Sequence, residues 1–196
     1  MPSSPAPLIL ASGSRTRRAV LERLGVAFTV HAADVDESRH PGEAPEDLAR
    51  RLAQDKARAV AARYPRHLII GADQVAAVGG QVFGKPGDAA TATHQLGRLS
   101  GQTVVYSSAV CVLDTRRDRA HELLVEDRVR LRALDSAAIE RYVAADRPFD
   151  CAGSLRSEGL GIALCEEILS TDPTSLLGLP LIGLTGILRT LGYALP

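Results

Sequence analysis

Apolar and polar residues follow one another along this chain in two rhythms, one of period two and one of helical period. A continuous apolar run, Leu8–Ala11, gives way through Ser12-Gly13-Ser14 to helical spacing from Arg15 to about Leu24, which Gly25 closes. Val26–Ala32 alternates and predicts a second strand, which runs into the acidic turn Asp34-Val35-Asp36-Glu37. Ser38–Ala44 reads as a loop, and Pro45 suits the first position of a long helix that reaches about Tyr64 before Pro65 stops it. Leu68–Val78 and Gln81–Phe83 predict strands, and Gly79-Gly80 between them is a hairpin signal. Gly87–Leu99 predicts a helix. Thr103–Leu113 and Leu123–Leu134 predict long strands around the charged turn Asp114–Arg119. A helix over Ser136–Ala145, capped by Asp135 or Ser136, precedes a short strand, Leu160–Leu164, and a closing helix, Pro180–Leu191. Strands, helices and hairpins in this order predict an α/β fold with a mixed twisted sheet flanked by helices.

With 196 residues the chain suits one compact domain over residues 8–196, and residues 1–7 read as a short disordered lead. Hydrophobic residues make up 45% of the chain, enough for a full core, but aromatics reach only 4%. That leaves no aromatic platform for single-stranded nucleic acid. Basic and acidic residues number 23 each, so the basic excess of a duplex-binding protein is missing too. The apolar run around Leu176–Leu188 is broken by Pro180 and several glycines, so neither a membrane nor a nucleic acid is an expected partner. The lead lacks the charged-then-apolar pattern of an export signal. Cys111, Cys151 and Cys165 form no CxxC pair, which fits a reducing cytoplasm and buried core roles. The oligomeric state is left open, a homodimer included.

The candidate chemistry begins at Ser12-Gly13-Ser14-Arg15-Thr16-Arg17-Arg18. A strand that hands over to a helix through small residues leaves unpaired N–H groups at the positive end of a dipole. Arginines in that first turn oppose the dipole, a misfit that a bound anion removes. Asp73 and Gln74 interrupt an otherwise apolar strand, which is costly unless they are paired or used. Asp34, Asp36 and Glu37 read first as a solvated acidic turn, the usual meaning of such a run, and alternatively one or two of them read as ligands for a hard divalent cation. Lys56 falls in the apolar row Leu48, Leu52, Lys56, Val60, where it either snorkels or points into a polar cleft. Gly79-Gly80-Gln81-Val82-Phe83-Gly84-Lys85-Pro86 matches the GxxxxGK phosphate-loop pattern, but Pro86 replaces the metal-binding Ser or Thr and the glycines sit in a hairpin. Lys85, fixed between Gly84 and Pro86, still suits a phosphate contact. Arg156 and Glu158 lie in a Gly/Ser-rich loop that permits close approach to a ligand. The five histidines are scattered without metal spacing.

Together these segments resemble the Maf-like nucleotide pyrophosphatases. The resemblance rests on Leu10-Ala11-Ser12-Gly13-Ser14 with Arg17-Arg18, on Asp36-Glu37, on Leu52-Ala53 with Lys56-Ala57, on Gly71-Ala72-Asp73, on Gly84-Lys85-Pro86 and on Gly178-Leu179-Pro180. It implies a fold like that of the inosine triphosphatases, with a nucleotide-binding cleft, and metal-dependent hydrolysis of nucleoside triphosphates to monophosphate and pyrophosphate. It implies Asp73 as general base, Lys56 and Lys85 acting with it, Ser12 and Arg17 facing the triphosphate, and Glu37 with Asp73 near magnesium or manganese. Gln74 after the acid and Ser157-Glu158-Gly159 in the later loop resemble the branch that hydrolyses 7-methyl-GTP. A carboxylate such as Glu158 accepts from the N1–H and N2–H₂ donors of a guanine edge, and it attracts the cationic N7-methyl base. Arg15 stands where the family usually has proline, and Thr16 where this branch commonly has an aromatic able to stack on the base. The alternatives are the same chemistry on dTTP and UTP, or a non-catalytic nucleotide-binding regulator of septum formation.

Overall fold

The longest apolar run forms the spine of a seven-stranded sheet. The computed structural model describes residues 5–196. Its elements are β1 (Leu8–Leu10), α1 (Arg15–Glu22), β2 (Phe28–Val30), α2 (Pro45–Ala61), β3 (Leu68–Val78) and β4 (Gln81–Phe83), then α3 (Ala89–Leu99), β5 (Thr103–Asp114), β6 (Arg119–Leu131), α4 (Ser136–Asp146), β7 (Cys165–Leu169) and α5 (Leu181–Thr190). The strand order is β2-β1-β3-β5-β6-β7, with β4 added to β3. β1 runs parallel to β2 and β3, and every other pairing is antiparallel, so the sheet is mixed as the pattern predicts.

Period-two alternation sends the side chains of β3 to two different layers. Ile69 and Val75 pack with Leu48, Leu52, Ala53, Ala57 and Val60 of α2. Leu68, Ile70 and Ala72 pack on the other face against Val20 and Leu21 of α1 and Leu181, Leu184 and Leu188 of α5. Farther along the strands, α3 and α4 close a third cluster around Phe83, Leu96, Leu99, Tyr106 and Tyr142. β1 ends at Leu10, opposite Ile70, and β4 joins the same edge of β3 only from Ala76. Residues 71–75 therefore have no strand on that edge among the described residues, and this gap is where the cleft opens.

Gly71 sets how closely α2 approaches the gap. A Cβ at Gly71 would lie 2.0 Å from the Ala53 carbonyl oxygen and 2.7 Å from Ala57 N. Gly71 and Asp73 share a face of β3, so the same approach brings Lys56 of α2 over Asp73. Gly71→Ala should force the helix away and cost about 3 kcal/mol, which lowers Tm by about 6–12 °C in a chain of this size. A Gly71→Ala protein that melts with the wild type would contradict this packing.

Several expectations need correction. Leu160–Leu164 forms a 3₁₀ turn, not a strand. Gly161 is pressed onto Arg156, where a Cβ would lie 2.4 Å from its carbonyl oxygen, and the chain there is too tightly turned to extend. The strand is instead β7, whose Glu166 and Glu167 both pair with Arg130 of β6, at 2.8 and 3.5 Å. β6 starts at Arg119 and stops at Leu131, earlier at both ends than expected. Met1–Ser4 of the expected lead lie outside the described residues. Ala6, by contrast, is buried, its carbonyl accepts from the Tyr193 hydroxyl, and the Pro7 carbonyl accepts from Leu68 N. Among the described residues, no helix is long and apolar enough to cross a membrane.

Candidate active site

The small residues after β1 turn the chain and cap α1 in one step. The Ser14 hydroxyl accepts from Arg17 N at 3.2 Å, as an N-cap should. Ser12 Oγ accepts from Ser14 N at 3.2 Å and from Arg17 Nη1 at 3.4 Å. Arg17 Nε donates to the Gly178 carbonyl at 2.9 Å, so the guanidinium spans from the first loop to the last. Burial lowers its pKa, while the carboxylates of Asp73 and Glu37 work the other way and favour the charge. Arg18 turns outward and pairs with Glu22 at 2.9 Å, so only one of these two arginines faces the cleft.

Lys56 does not snorkel. It is 6% exposed, and its Nζ lies 2.6 Å from Asp73 Oδ1 and 2.6 Å from Glu37 Oε1. Partial burial opposes the Glu37 charge, yet Lys56 at contact distance, helped by Lys85 and Arg17, holds its carboxyl below the usual range. Asp36 does not join them: its carboxylate accepts from Ser38 N at 2.9 Å and shapes the loop. Asp34 stays at the surface. The loop that carries Glu37 is clamped by Arg51, which sequence reasoning missed. Arg51 donates to both Glu43 carboxylate oxygens and to the Ser38 carbonyl at 2.9 Å, and its bonds to Glu43 pull that carboxyl down to about 2. A surface arginine on an amphipathic helix carries no signal of such a role.

A cavity of about 350 Å³ occupies the gap. Ser12, Arg15, Thr16, Arg17, Glu37, Lys56, Gln74, Lys85 and Glu158 all line it, which brings together residues from the whole length of the chain. Asp73 lies beneath this surface, 7% exposed, and meets the cavity through Lys56. Gln74 points to the opposite face of β3, where its Nε2 donates to Ser108 Oγ at 2.9 Å and to the carbonyls of Ser175 and Leu176 at 3.1 Å each. Across the cleft, Thr16 Oγ1 donates to Glu158 Oε1 at 3.4 Å. Arg156 is not part of the cavity lining: it donates to the Asp146 carbonyl at 2.7 Å and to Asp150 at 3.1 Å, which ties down the loop. Cys111 and Cys165 are buried, whereas Cys151 lines the cavity with its thiol pushed up to about 11 by burial and by Asp150. The histidines stay out of the lining among the described residues.

The lining holds four cations, Arg15, Arg17, Lys56 and Lys85, against three carboxylates, Glu37, Asp150 and Glu158. Such a site suits a polyanion with a polar head. Among the described residues, no three His, Cys, Asp or Glu side chains gather as a metal cage. Magnesium, however, ordinarily takes one or two protein carboxylates and completes its shell with substrate phosphates and water. Glu37 and Asp73, converging on one ammonium, fit that mode of binding.

Residues 7–191 match the sequence profile of the Maf-like protein family. The chain belongs to the Maf family. Its relatives are similar over nearly their whole length. A protein of Aromatoleum aromaticum is 50% identical over 189 residues, 96% of this chain and 97% of the relative. One from Bordetella pertussis is 50% identical over 192 residues, 98% of this chain and 96% of its own. One from Cupriavidus pinatubonensis is 47% identical over 194 residues, covering 98% of both. All three are named 7-methyl-GTP pyrophosphatase. The Maf profile spans all the elements that surround the cavity, from β1 to α5.

Proposed function

We propose that this Maf chain is a cytoplasmic enzyme that hydrolyses 7-methyl-GTP to 7-methyl-GMP and pyrophosphate, with magnesium or manganese as cofactor. The observation that carries the reading is Lys56 held at 2.6 Å by both Glu37 and Asp73 at the wall of a cation-lined cavity. Three free cysteines suit a reducing compartment. A water attacks the α-phosphorus, the α–β anhydride bond breaks, and pyrophosphate leaves. Asp73 takes the proton of that water: Lys56 occupies its Oδ1, and Oδ2 carries no hydrogen bond among the described residues. Lys56, Lys85 and Arg17 meet the negative charge of the phosphates, and Ser12 fixes Arg17 for that contact. Glu37 would hold the divalent cation with Asp73 close beside it, and that cation when bound would neutralise phosphate charge.

Base recognition falls to Gln74 and Glu158. Glu158 is an acceptor-only group that suits the N1–H and N2–H₂ donors of guanine, and its charge favours the cationic N7-methyl form. Thr16 supplies no stacking surface, but its hydroxyl steadies Glu158 from across the cleft. Glu158→Gln should therefore lower kcat/KM for 7-methyl-GTP by about tenfold relative to UTP, since each such contact contributes about 1–3 kcal/mol of discrimination. An unchanged ratio would place Glu158 outside base recognition. The test of the whole reading is pyrophosphate release from 7-methyl-GTP, GTP, UTP and dTTP, with and without magnesium or manganese. Metal-dependent release that is fastest from 7-methyl-GTP is expected. Preference for UTP or dTTP would move the chain to the pyrimidine branch, and binding without release would make it a regulator.

A further inference from the structure

One buried polar cluster lies outside the chemistry described above. Asp127 of β6, Ser108 of β5 and Ser175 of the last 3₁₀ turn are each 0% exposed, deep enough that every polar atom needs a partner. Ser175 Oγ lies 2.6 and 2.7 Å from the two Asp127 oxygens and 2.6 Å from the Asp172 carbonyl. The Ser175 carbonyl accepts from Ser108 Oγ at 2.8 Å and from Gln74 Nε2 at 3.1 Å. The register aligns Gln74 with Ser108 and Ser108 with Val125, and Asp127 lies two residues on along β6, on the same face.

This chain of contacts decides which way the Gln74 amide points. The hydroxyl hydrogen of Ser108 is spent on the Ser175 carbonyl, so Ser108 Oγ can only accept from Gln74. The Leu176 carbonyl, 3.1 Å away, can only accept as well. Were the amide reversed, its oxygen would face three acceptors and its NH₂ group would face the cavity. The network thus leaves Gln74 Oε1, a pure acceptor, as the polar atom offered to a ligand. We infer that Asp127 is a positioning residue for base selectivity, acting through Ser175 and its neighbouring carbonyl on the amide of Gln74. The inference rests on the nucleotide reading above and adds to it the buried device that fixes one of its two base-reading groups.

The proton count gives a sharper expectation. Ser175 has one hydroxyl hydrogen, and the Asp172 carbonyl at 2.6 Å also accepts from Ser170 Oγ at 2.7 Å. The Ser175 hydroxyl is also within donating distance of both Asp127 oxygens, so the Asp127 carboxyl and the Asp172 carbonyl together hold it as acceptors. Burial pushes the Asp127 carboxyl above the usual range against the pull of Ser170 and Ser175, and Asp172 adds to the push. An asparagine keeps a side-chain oxygen that accepts from Ser175 Oγ, whereas an alanine removes that partner.

The test compares Asp127→Asn, Asp127→Ala and Ser175→Ala with the full wild-type chain in two measurements. The first is the kcat/KM ratio of 7-methyl-GTP to UTP. The second is hydrogen exchange of the Gln74 side-chain amide by nuclear magnetic resonance, which needs no substrate. Asp127→Ala and Ser175→Ala should each lower the ratio by about tenfold, chiefly through KM for 7-methyl-GTP, and should speed exchange of the Gln74 amide. Asp127→Asn should keep both at wild-type values. Ser175→Ala, which retains the buried carboxyl, decides the matter if Asp127→Ala does not fold. Slow Gln74 exchange in the alanine variants, or an equal fall for both substrates, overturns the proposal. Failure of the nucleotide reading is distinguishable, because it appears in the wild type alone as no preference for 7-methyl-GTP.

Discussion

Asp73→Asn lowers turnover of 7-methyl-GTP by roughly two to four orders of magnitude if Asp73 is the base that activates water. The substitution preserves shape and burial. The asparagine oxygen can still accept from Lys56 Nζ, which lies 2.6 Å from Asp73 Oδ1, so the α2–β3 contact survives. What is lost is an oxygen able to take a proton. The effect should fall on kcat more than on KM, because the cations that meet the phosphates remain. Single-turnover rates of wild type and variant, measured beside their melting temperatures, check this. A variant that turns over near the wild-type rate would remove Asp73 from the base role.

Lys56→Met should lower kcat/KM by about two to three orders of magnitude, the usual effect of deleting one preorganised donor. Methionine is a good helix former and fills the apolar row of Leu48, Leu52 and Val60, so α2 should persist. The stability cost comes from another source. Lys56 neutralises Asp73, which is 7% exposed, and removing the cation leaves a buried carboxylate without a partner. The melting temperature should therefore fall with the activity. Adding Asp73→Asn to Lys56→Met removes the stranded charge, so the double variant should regain stability but no activity. A Lys56→Met protein with normal turnover would reduce Lys56 to a structural role.

The same pair shows how far the sequence could be read. Gly71-Ala72-Asp73 and Ala53 with Lys56-Ala57 were both legible as motifs, and the structure gives them a joint physical meaning. Small residues on α2 and a glycine on β3 let the two elements touch, and the charged residues beside them meet as a result. The apolar row left Lys56 free to snorkel or to enter a cleft; the resemblance chose the cleft, but neither says anything about the two carboxylates that a distant loop and strand bring to it. The pattern of residues did not separate Glu37 from Asp34 and Asp36; the resemblance pointed to Glu37, and the loop clamped by Arg51 brings it 2.6 Å from Lys56. β7 was hidden because Glu166 and Glu167 break the apolar alternation; their partner, Arg130, is on the neighbouring strand. Asp127 was invisible for the opposite reason: it sits in a strand rich in charged residues, and only the tertiary fold shows that this one is buried.

The clefts of β/α folds form where strands stop, and this one follows from unequal strand lengths. β1 ends after three residues while β3 runs for eleven, so the edge of β3 is bare where Asp73 and Gln74 stand. Consecutive residues of one strand then serve two tasks. Asp73 faces α2 and its lysine, and Gln74 faces the last 3₁₀ turn and its carbonyls. On the proposed function a single strand ties phosphate chemistry to base recognition, and a shift of register by one residue would exchange the two.

If the proposed function holds, water attacks the α-phosphorus of 7-methyl-GTP in this cavity. Turnover in heavy-oxygen water, followed by mass spectrometry of both products, locates the attack. The expected products are 7-methyl-GMP that carries one heavy oxygen and pyrophosphate that carries none. Heavy oxygen in the pyrophosphate, or 7-methyl-GDP with labelled phosphate, would contradict it.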